Sequence, residues 1–402
     1  MRPSLTRYAL VFMKLCHLNV LWTLDPGVVR KISHQHTAFQ QAALPNDQFD
    51  SVIVVRESLL SALHPPPGLQ ILSVPEDGPR FIRDASLPFK AWNHLSCRLS
   101  GYDGIVTRWP IPTGTFLDTV RRFPVFTEHH SKEVEESYGA KGFKPLVRRH
   151  LESRNSRRVL ASARGLVGVT HEIRDYELAR AGMNKASLVL PNGISVEDIP
   201  VRHPPTYDGT ALECVFVSSG FAPWHGLDRV LAGLSAWRDT RKIAFKLHLV
   251  GRLSAKQLTI IRDLGLTGCV IRHGLLYGSE LDAVFSRCHI AIGSLALHRN
   301  GLKEACPLKA REYAARNLPF VAAYEDPDFP AGTPWLHRIP ADDSPLDIDT
   351  LVTFADRAYA DSTTFGNMRR FAGNRLSWTN KMATLVDFVR REIESDGPAG
   401  ND

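Results

Sequence analysis

Two carboxylates, Glu304 and Glu312, stand with seven residues between them in the stretch Gly301-Leu-Lys-Glu-Ala-Cys-Pro-Leu-Lys-Ala-Arg-Glu312. Pro307 suits the first position of a helix, where a missing N–H is no loss. Asn317 suits a left-handed cap at the far end. The N–H groups of Leu308 and Lys309 would then point out of the helix mouth. That arrangement attracts anions through both the helix dipole and the free donors, and Lys309 adds a positive charge. A diphosphate held there would leave one sugar near Glu304 and a ribose within reach of Glu312. Carboxylates accept hydrogen bonds from sugar hydroxyls. Two solvated helix carboxylates are the plainer alternative.

Three further groups invite chemistry. Gly27, in Asp25-Pro-Gly-Val-Val29, follows a predicted strand and opens a helix. It fits both a close backbone approach to a phosphate and an ordinary strand–helix turn. Thr127-Glu-His-His-Ser131 ends another predicted strand, where α/β sheets place their ligands. His129, slightly preferred over His130, could hydrogen-bond a sugar hydroxyl; a pair of surface or capping histidines competes with that reading. Glu325-Asp-Pro-Asp328 holds an Asp-x-Asp, a spacing that can bind a divalent metal. Its place after a strand and before Pro330 favours a turn, so no metal is expected.

The elements that must position these residues are clearest in the second half. Apolar runs at 212–219, 245–250, 270–273, 289–295 and 320–324 read as strands. Helical periodicity appears between them at 226–237, 255–264, 280–286 and 307–316. Such alternation demands parallel strands with right-handed crossovers. The first half repeats the theme less cleanly, with strands expected at 19–24 (or from Leu18), 51–55, 70–74, 104–107, 125–127, 166–169 and 188–194. Helices are expected at 28–42 and 147–163. The predicted organisation is an N-terminal Rossmann-like domain over 1–195, a Pro- and Gly-bearing linker over 196–211 and a C-terminal Rossmann-like domain over 212–363. A helical region over 364–393, around Trp378, is expected to pack back on the N-terminal domain, and 394–402 to fray. Lys14, His17 and Asn19 interrupt the apolar stretch 8–24, which argues against a signal peptide or membrane span. Residues 1–15 are read as a candidate extension outside the fold.

This pattern resembles the retaining family 4 glycosyltransferases of GT-B fold. Besides the paired glutamates, the resemblance rests on Trp224-His-Gly-Leu-Asp-Arg-Val-Leu231, Leu249-Val-Gly-Arg252, Pro191-Asn-Gly193 and Leu318-Pro-Phe-Val321. It covers roughly 185–330 well and the N-terminal half thinly. It implies an α/β architecture of two doubly wound domains facing across a cleft, with a nucleotide-sugar donor mainly on the C-terminal domain and the acceptor on the N-terminal side. It implies that Glu304 contacts the donor sugar and Glu312 the ribose, that a histidine such as His129 meets the sugar, and that no metal or other cofactor is needed. One departure stands out. Many members carry an Arg and a Lys on the diphosphate in the loop after the first C-terminal strand, but here His225 stands in place of the Lys. Histidine is neutral or partly charged at neutral pH, so Lys309 or Arg252 must supply the charge if the site is active. A catalytically silent sugar-binding or scaffold relative is the alternative. A nucleotide-dependent oxidoreductase is disfavoured, because no G-x-G-x-x-G opens either half.

Composition bounds the remaining possibilities. The 402 residues are 44% hydrophobic, enough for two domains and their cores. A net charge of +7 suits phosphate-bearing ligands or an anionic membrane surface. With no run of five basic residues, a nucleic-acid partner is not expected. Six widely spaced cysteines form neither a zinc framework nor a disulfide scaffold, which suits the cytoplasm. The expected partners are a nucleotide sugar and a glycan or lipid-linked acceptor, with possible peripheral contact at an anionic inner membrane face.

Overall fold

The computed structural model describes residues 12–77, 80–132, 134–135, 143–238 and 243–395. The chain divides into two compact units, one of 1–190 and 378–402, the other of 191–377.

In the first unit the described residues form a seven-stranded, fully parallel sheet. Its elements in chain order are β1 (Lys14–Leu21), α1 (Pro26–Gln41), β2 (Gln48–Arg56), β3 (Leu69–Val74), α2 (Arg80–Ser96), β4 (Gly104–Arg108), α3 (Gly114–Arg122), β5 (Val125–His129), α4 (Phe143–Ser162), β6 (Gly165–Gly168), α5 (His171–Ala181) and β7 (Ser187–Val189). The strand order is β3-β2-β1-β4-β5-β6-β7, so the winding reverses between β1 and β4. Buried side chains such as Leu18, Val54 and Ile105 face one layer of helices; Leu15, Val106 and Phe126 face the other.

The second unit contains β8 (Ala211–Gly220), α6 (Leu227–Trp237), β9 (Ala244–Arg252), α7 (Ala255–Asp263), β10 (Val270–Gly274), α8 (Gly278–Arg287), β11 (Ile290–Ile292), α9 (Leu308–Ala315), β12 (Phe320–Ala322), β13 (Leu336–Arg338), α10 (Ile348–Ala360) and α11 (Thr363–Phe371). The parallel order β10-β9-β8-β11-β12-β13 repeats the same scheme, with reversal between β8 and β11. The apolar stripe of α6 that sets its periodicity, Leu227, Val230, Leu231 and Leu234, is wholly buried.

Several boundaries differ from the sequence reading. The first strand begins at Lys14, because His17 and Asn19 are themselves buried in the sheet rather than ending it. The candidate extension therefore loses residues 14–15 to β1, and its residues 1–11 lie outside the described residues. β13 had no sequence signal, being three residues long. The expected continuous helical region over 364–393 is broken. α11 and a π-turn at Ala372–Leu376 belong to the second unit, and a new helix, α12 (Trp378–Glu394), belongs to the first. There its Trp378, Met382, Leu385 and Val389 pack with Leu15 and Phe126. The stretch read as a linker is pinned within the second unit: buried Arg202 donates to the carbonyls of Cys288 (2.7 Å), Asn317 (2.8 Å), Phe285 and Arg316 (both 3.2 Å). Of the tail expected to fray, 396–402 lies outside the described residues.

Candidate functional site

In a doubly wound sheet, ligands sit beyond the carboxyl ends of the strands where the winding reverses. In the second unit that point lies after β8 and β11. The two loops there are tied to one another. Leu295 N–H donates to His225 O (3.0 Å) and Ala296 N–H to Trp224 O (3.2 Å). Gly226 makes this approach possible. Its φ is 75°, and a Cβ would fall 2.9 Å from Leu295 Cβ. Arg299 reinforces the floor by donating to Asp228 (2.7 and 2.9 Å) and to Pro223 O (2.8 Å).

Helix α9 starts at this floor. Pro307, expected as its first residue, is instead the extended N-cap (ψ 143°), and the helix begins at Leu308. Asn317 adopts the expected left-handed conformation (φ 56°). Glu304 lies just before the helix, where Ala305 N–H donates to Glu325 O (2.9 Å) and Glu325 N–H to Lys303 O (3.0 Å). The helix is aimed by Arg311, which is fully buried. Arg311 pairs with Asp326, with Asp328 (2.9 Å) and with Asn192 O (2.9 Å). Asn192 in turn donates to Cys306 O (2.9 Å). Both carboxylates of the Asp-x-Asp are therefore occupied by an arginine. Sequence reasoning missed this clamp, although its cation lies inside the glutamate stretch.

The mouth of α9 is open. No side chain caps it, and the first bonded N–H is that of Ala310, to Pro307 O (3.1 Å). Among the described residues, the N–H groups of Leu308 and Lys309 meet no acceptor. Leu308 is exposed. The Lys309 stem keeps some exposure, but its Nζ is enclosed and has no hydrogen-bond partner. That Nζ lies 5.3 Å from the centre of the Phe216 ring. Burial lowers its pKa to about 7.

His225 is a neutral neighbour of this lysine. Burial, followed by the Lys309 charge, lowers its pKa to about 4. Its Nδ1 accepts from Ala222 N–H (3.1 Å), which places the ring proton on Nε2. Arg252 is exposed at the end of β9, next to Gly251 at φ 137°, a conformation that needs glycine. Glu312 is half-buried one turn along α9 from Lys309 and pairs with Arg316 at 3.0 Å. The second unit thus gathers His225, Glu304, Leu308 and Lys309 around one mouth, with Glu312 a turn deeper and Arg252 on the neighbouring strand end.

Gly27 and His129 belong to the first unit. At the start of α1, Asp25 accepts from the N–H of Gly27 (2.8 Å) and of Val28 (3.2 Å), so the chain's own carboxylate fills that helix mouth. His129 is fully buried and offers no surface to a ligand. One ring nitrogen bonds Thr127 Oγ1 (2.9 Å), and Nδ1 lies 3.5 Å from Glu177. Burial, then the charge of Arg180, holds its pKa well below the usual value. Around it Arg180 joins Glu177 (2.7 Å) and Glu152 (3.0 Å), and Glu152 accepts from Trp109 Nε1 (3.1 Å). Apart from Glu177 and Arg180, three residues apart on α5, these partners lie tens of residues apart in sequence, with no motif to announce them. His130 retains some exposure and pairs with Glu128 at 2.8 Å.

Neighbours in fold accord with this architecture. Sucrose-phosphate synthase from Thermosynechococcus elongatus superposes with a TM-score of 0.63 at 14% identity, covering 95% of this chain and all of that one. A glycosyltransferase from Rickettsia africae gives 0.64 at 12%, covering 95% and 99%. HepE of Anabaena, solved in complex with UDP and glucose, gives 0.61 at 14%, covering 94% and 100%. The fold is that of the GT-B glycosyltransferases. No protein-family model matches the chain, and comparison with curated proteins gave no match. The GT-B fold accounts for the repeated strand order of the two sheets. Among the described residues, no helix is long and apolar enough to cross a membrane.

Proposed function

We propose that this protein is a retaining, nucleotide-sugar-dependent hexosyltransferase (EC 2.4 type) whose donor binds the second unit with its diphosphate at the amino end of α9. The observation that carries the reading is the uncapped helix mouth beside the enclosed, unpartnered Lys309 Nζ, with Glu304 just before it in the chain and Glu312 a turn along the helix. A buried cation without a counter-charge is costly, and a bound diphosphate supplies that charge. Glu304 accepts from hydroxyls of the transferred sugar, and Glu312, releasing Arg316, from those of the ribose. His129, being fully buried, has no part in this reading; of the pair, His130 keeps some exposure. Arg252 offers further positive charge.

In the reaction the bond from the anomeric carbon to the diphosphate oxygen breaks as the acceptor hydroxyl attacks from the same face. The acceptor's proton passes to the leaving diphosphate. The helix dipole and Lys309 stabilise the charge that develops there. The chemistry asks nothing of a metal. Glu304→Ala and Glu312→Ala, checked for folding, should each lose roughly 100-fold or more in transfer. Unchanged turnover in both would refute the site.

The resemblance favours a surface polysaccharide or lipid-linked glycan as acceptor, with work at the cytoplasmic face of a membrane. Exposed Arg154, Arg157 and Arg158 on α4 support contact with anionic lipid, since the only acid of that helix, Glu152, is buried. Flotation with anionic liposomes should carry the protein upward; a protein that stays at the bottom excludes this part. A silent sugar-binding relative is the second reading, favoured by the neutral His225. Assaying hydrolysis of UDP-, GDP- and TDP-sugars separates the two.

A further inference from the structure

Lys309 differs from the ion-paired arginines around this mouth, and from Arg252 in that its charged end is enclosed. Arg311 is held by two aspartates, Arg316 by Glu312 and Asp282, and Arg299 by Asp228 and Asp343. Lys309 has no such partner among the described residues, although its Nζ is enclosed. β8 gives it the Phe216 ring and carries Ser218, whose hydroxyl donates to Gly220 O (2.7 Å). The loop after β8 gives it His225, whose Nδ1 is taken by Ala222. Arg252 is at the end of β9, and Glu304 on the segment before the helix. On α9 itself, Glu312 is turned to Arg316.

We infer that Lys309 is the residue that reads the donor diphosphate, and that it takes up a proton as the diphosphate enters. The inference rests on the nucleotide-sugar reading above and adds a linkage which that reading does not require. In the free protein the enclosed amine is partly neutral near pH 7, because burial disfavours the ammonium. A diphosphate at the α9 mouth brings two negative charges close to this amine and favours the ammonium, so the bound form holds more proton than the free form. The balance is amine, proton and doubly negative diphosphate diester giving an ammonium–diphosphate pair. Linkage fixes the sign. Affinity is flat below the free value of about 7 and falls as pH rises above it, by up to tenfold per unit. His225 titrates near 4, outside that window.

The test is calorimetric titration with UDP-glucose, GDP-mannose and TDP-glucose from pH 6 to 9, in buffers of different ionisation heat. Both diphosphate charges persist throughout, and below about pH 8.5 the bases stay neutral, so over that range the ligand adds no slope. At least one should bind, with uptake approaching one proton near pH 8. Lys309→Arg should bind without the slope or the uptake, because a guanidinium is already charged. Lys309→Met should bind at least tenfold more weakly at pH 6.5 and show no slope. Wild-type binding without proton uptake, or a slope that survives in Lys309→Arg, overturns the inference and leaves the transferase reading standing. Binding of none of the three overturns both.

Discussion

The starts of α1 and α9 are the same kind of structure finished in opposite ways. Each follows a strand beside the point where its sheet reverses winding. At α1 the chain supplies its own anion: Asp25 takes two of the N–H groups that open the helix. At α9 it supplies a proline that cannot cap, and leaves an enclosed lysine without a partner. One buried cluster of the first unit likewise answers its own charges. In the first unit Trp109, Glu152, Glu177 and Arg180 satisfy one another. A buried charge answered by its neighbours is architecture; a buried cation left unanswered beside an open helix mouth invites an anion from outside.

The comparison breaks most sharply at Arg311. Arg311→Met removes the cation from two buried aspartates and should cost about 3–5 kcal/mol in urea unfolding. A loss below about 1 kcal/mol would mean that the clamp does not hold α9 in place.

Next in size is the response to acid. His130 has a folded pKa of about 4 against an ordinary 6.5, lowered by burial and then by Lys31. The unfolded chain therefore takes up a proton at that residue below about 6.5 while the folded chain does not. The stability present above 6.5 is lost as pH falls toward 4. His129 and His225 act in the same direction. Glu177 opposes them: burial raises it from 4.5 to about 7, so its contribution weakens as pH rises through that interval. His130→Gln should lower the slope of unfolding free energy against pH by close to one proton between 6.5 and 4, and an unchanged slope would show that His130 is charged in the fold.

The smallest effect is the most diagnostic. Lys309→Met removes a buried amine that has no partner, so it should leave stability within about 1 kcal/mol of wild type or raise it. A loss resembling that of Arg311→Met would reveal a protein partner for Lys309 and erase the contrast between the two helix mouths.

The sequence was most informative where the signal is local. The apolar stripe of α6, the alternation of strand and helix from Leu212 to Tyr324, and the left-handed Asn317 all follow from side chains a few residues apart. It was least informative where polarity and burial part company. His17 and Asn19 looked like interruptions yet lie inside β1, and the proline-bearing stretch before β8 is pinned by Arg202. His129 looked like a ligand-facing residue by its place at a strand end, but Trp109 and Glu177 pack on it and it keeps no exposed surface.

By itself, then, the sequence determined the periodicities, and with them two parallel sheets and a helix opening within a residue of Pro307, because hydrophobic patterning and backbone restriction act within a few residues. Only the tertiary structure decided which charges are already answered. Asp25 caps α1, Arg311 occupies Asp326 and Asp328, and Lys309 is left alone. Ion pairing depends on groups brought together by the fold across distances in sequence that no spacing rule can read.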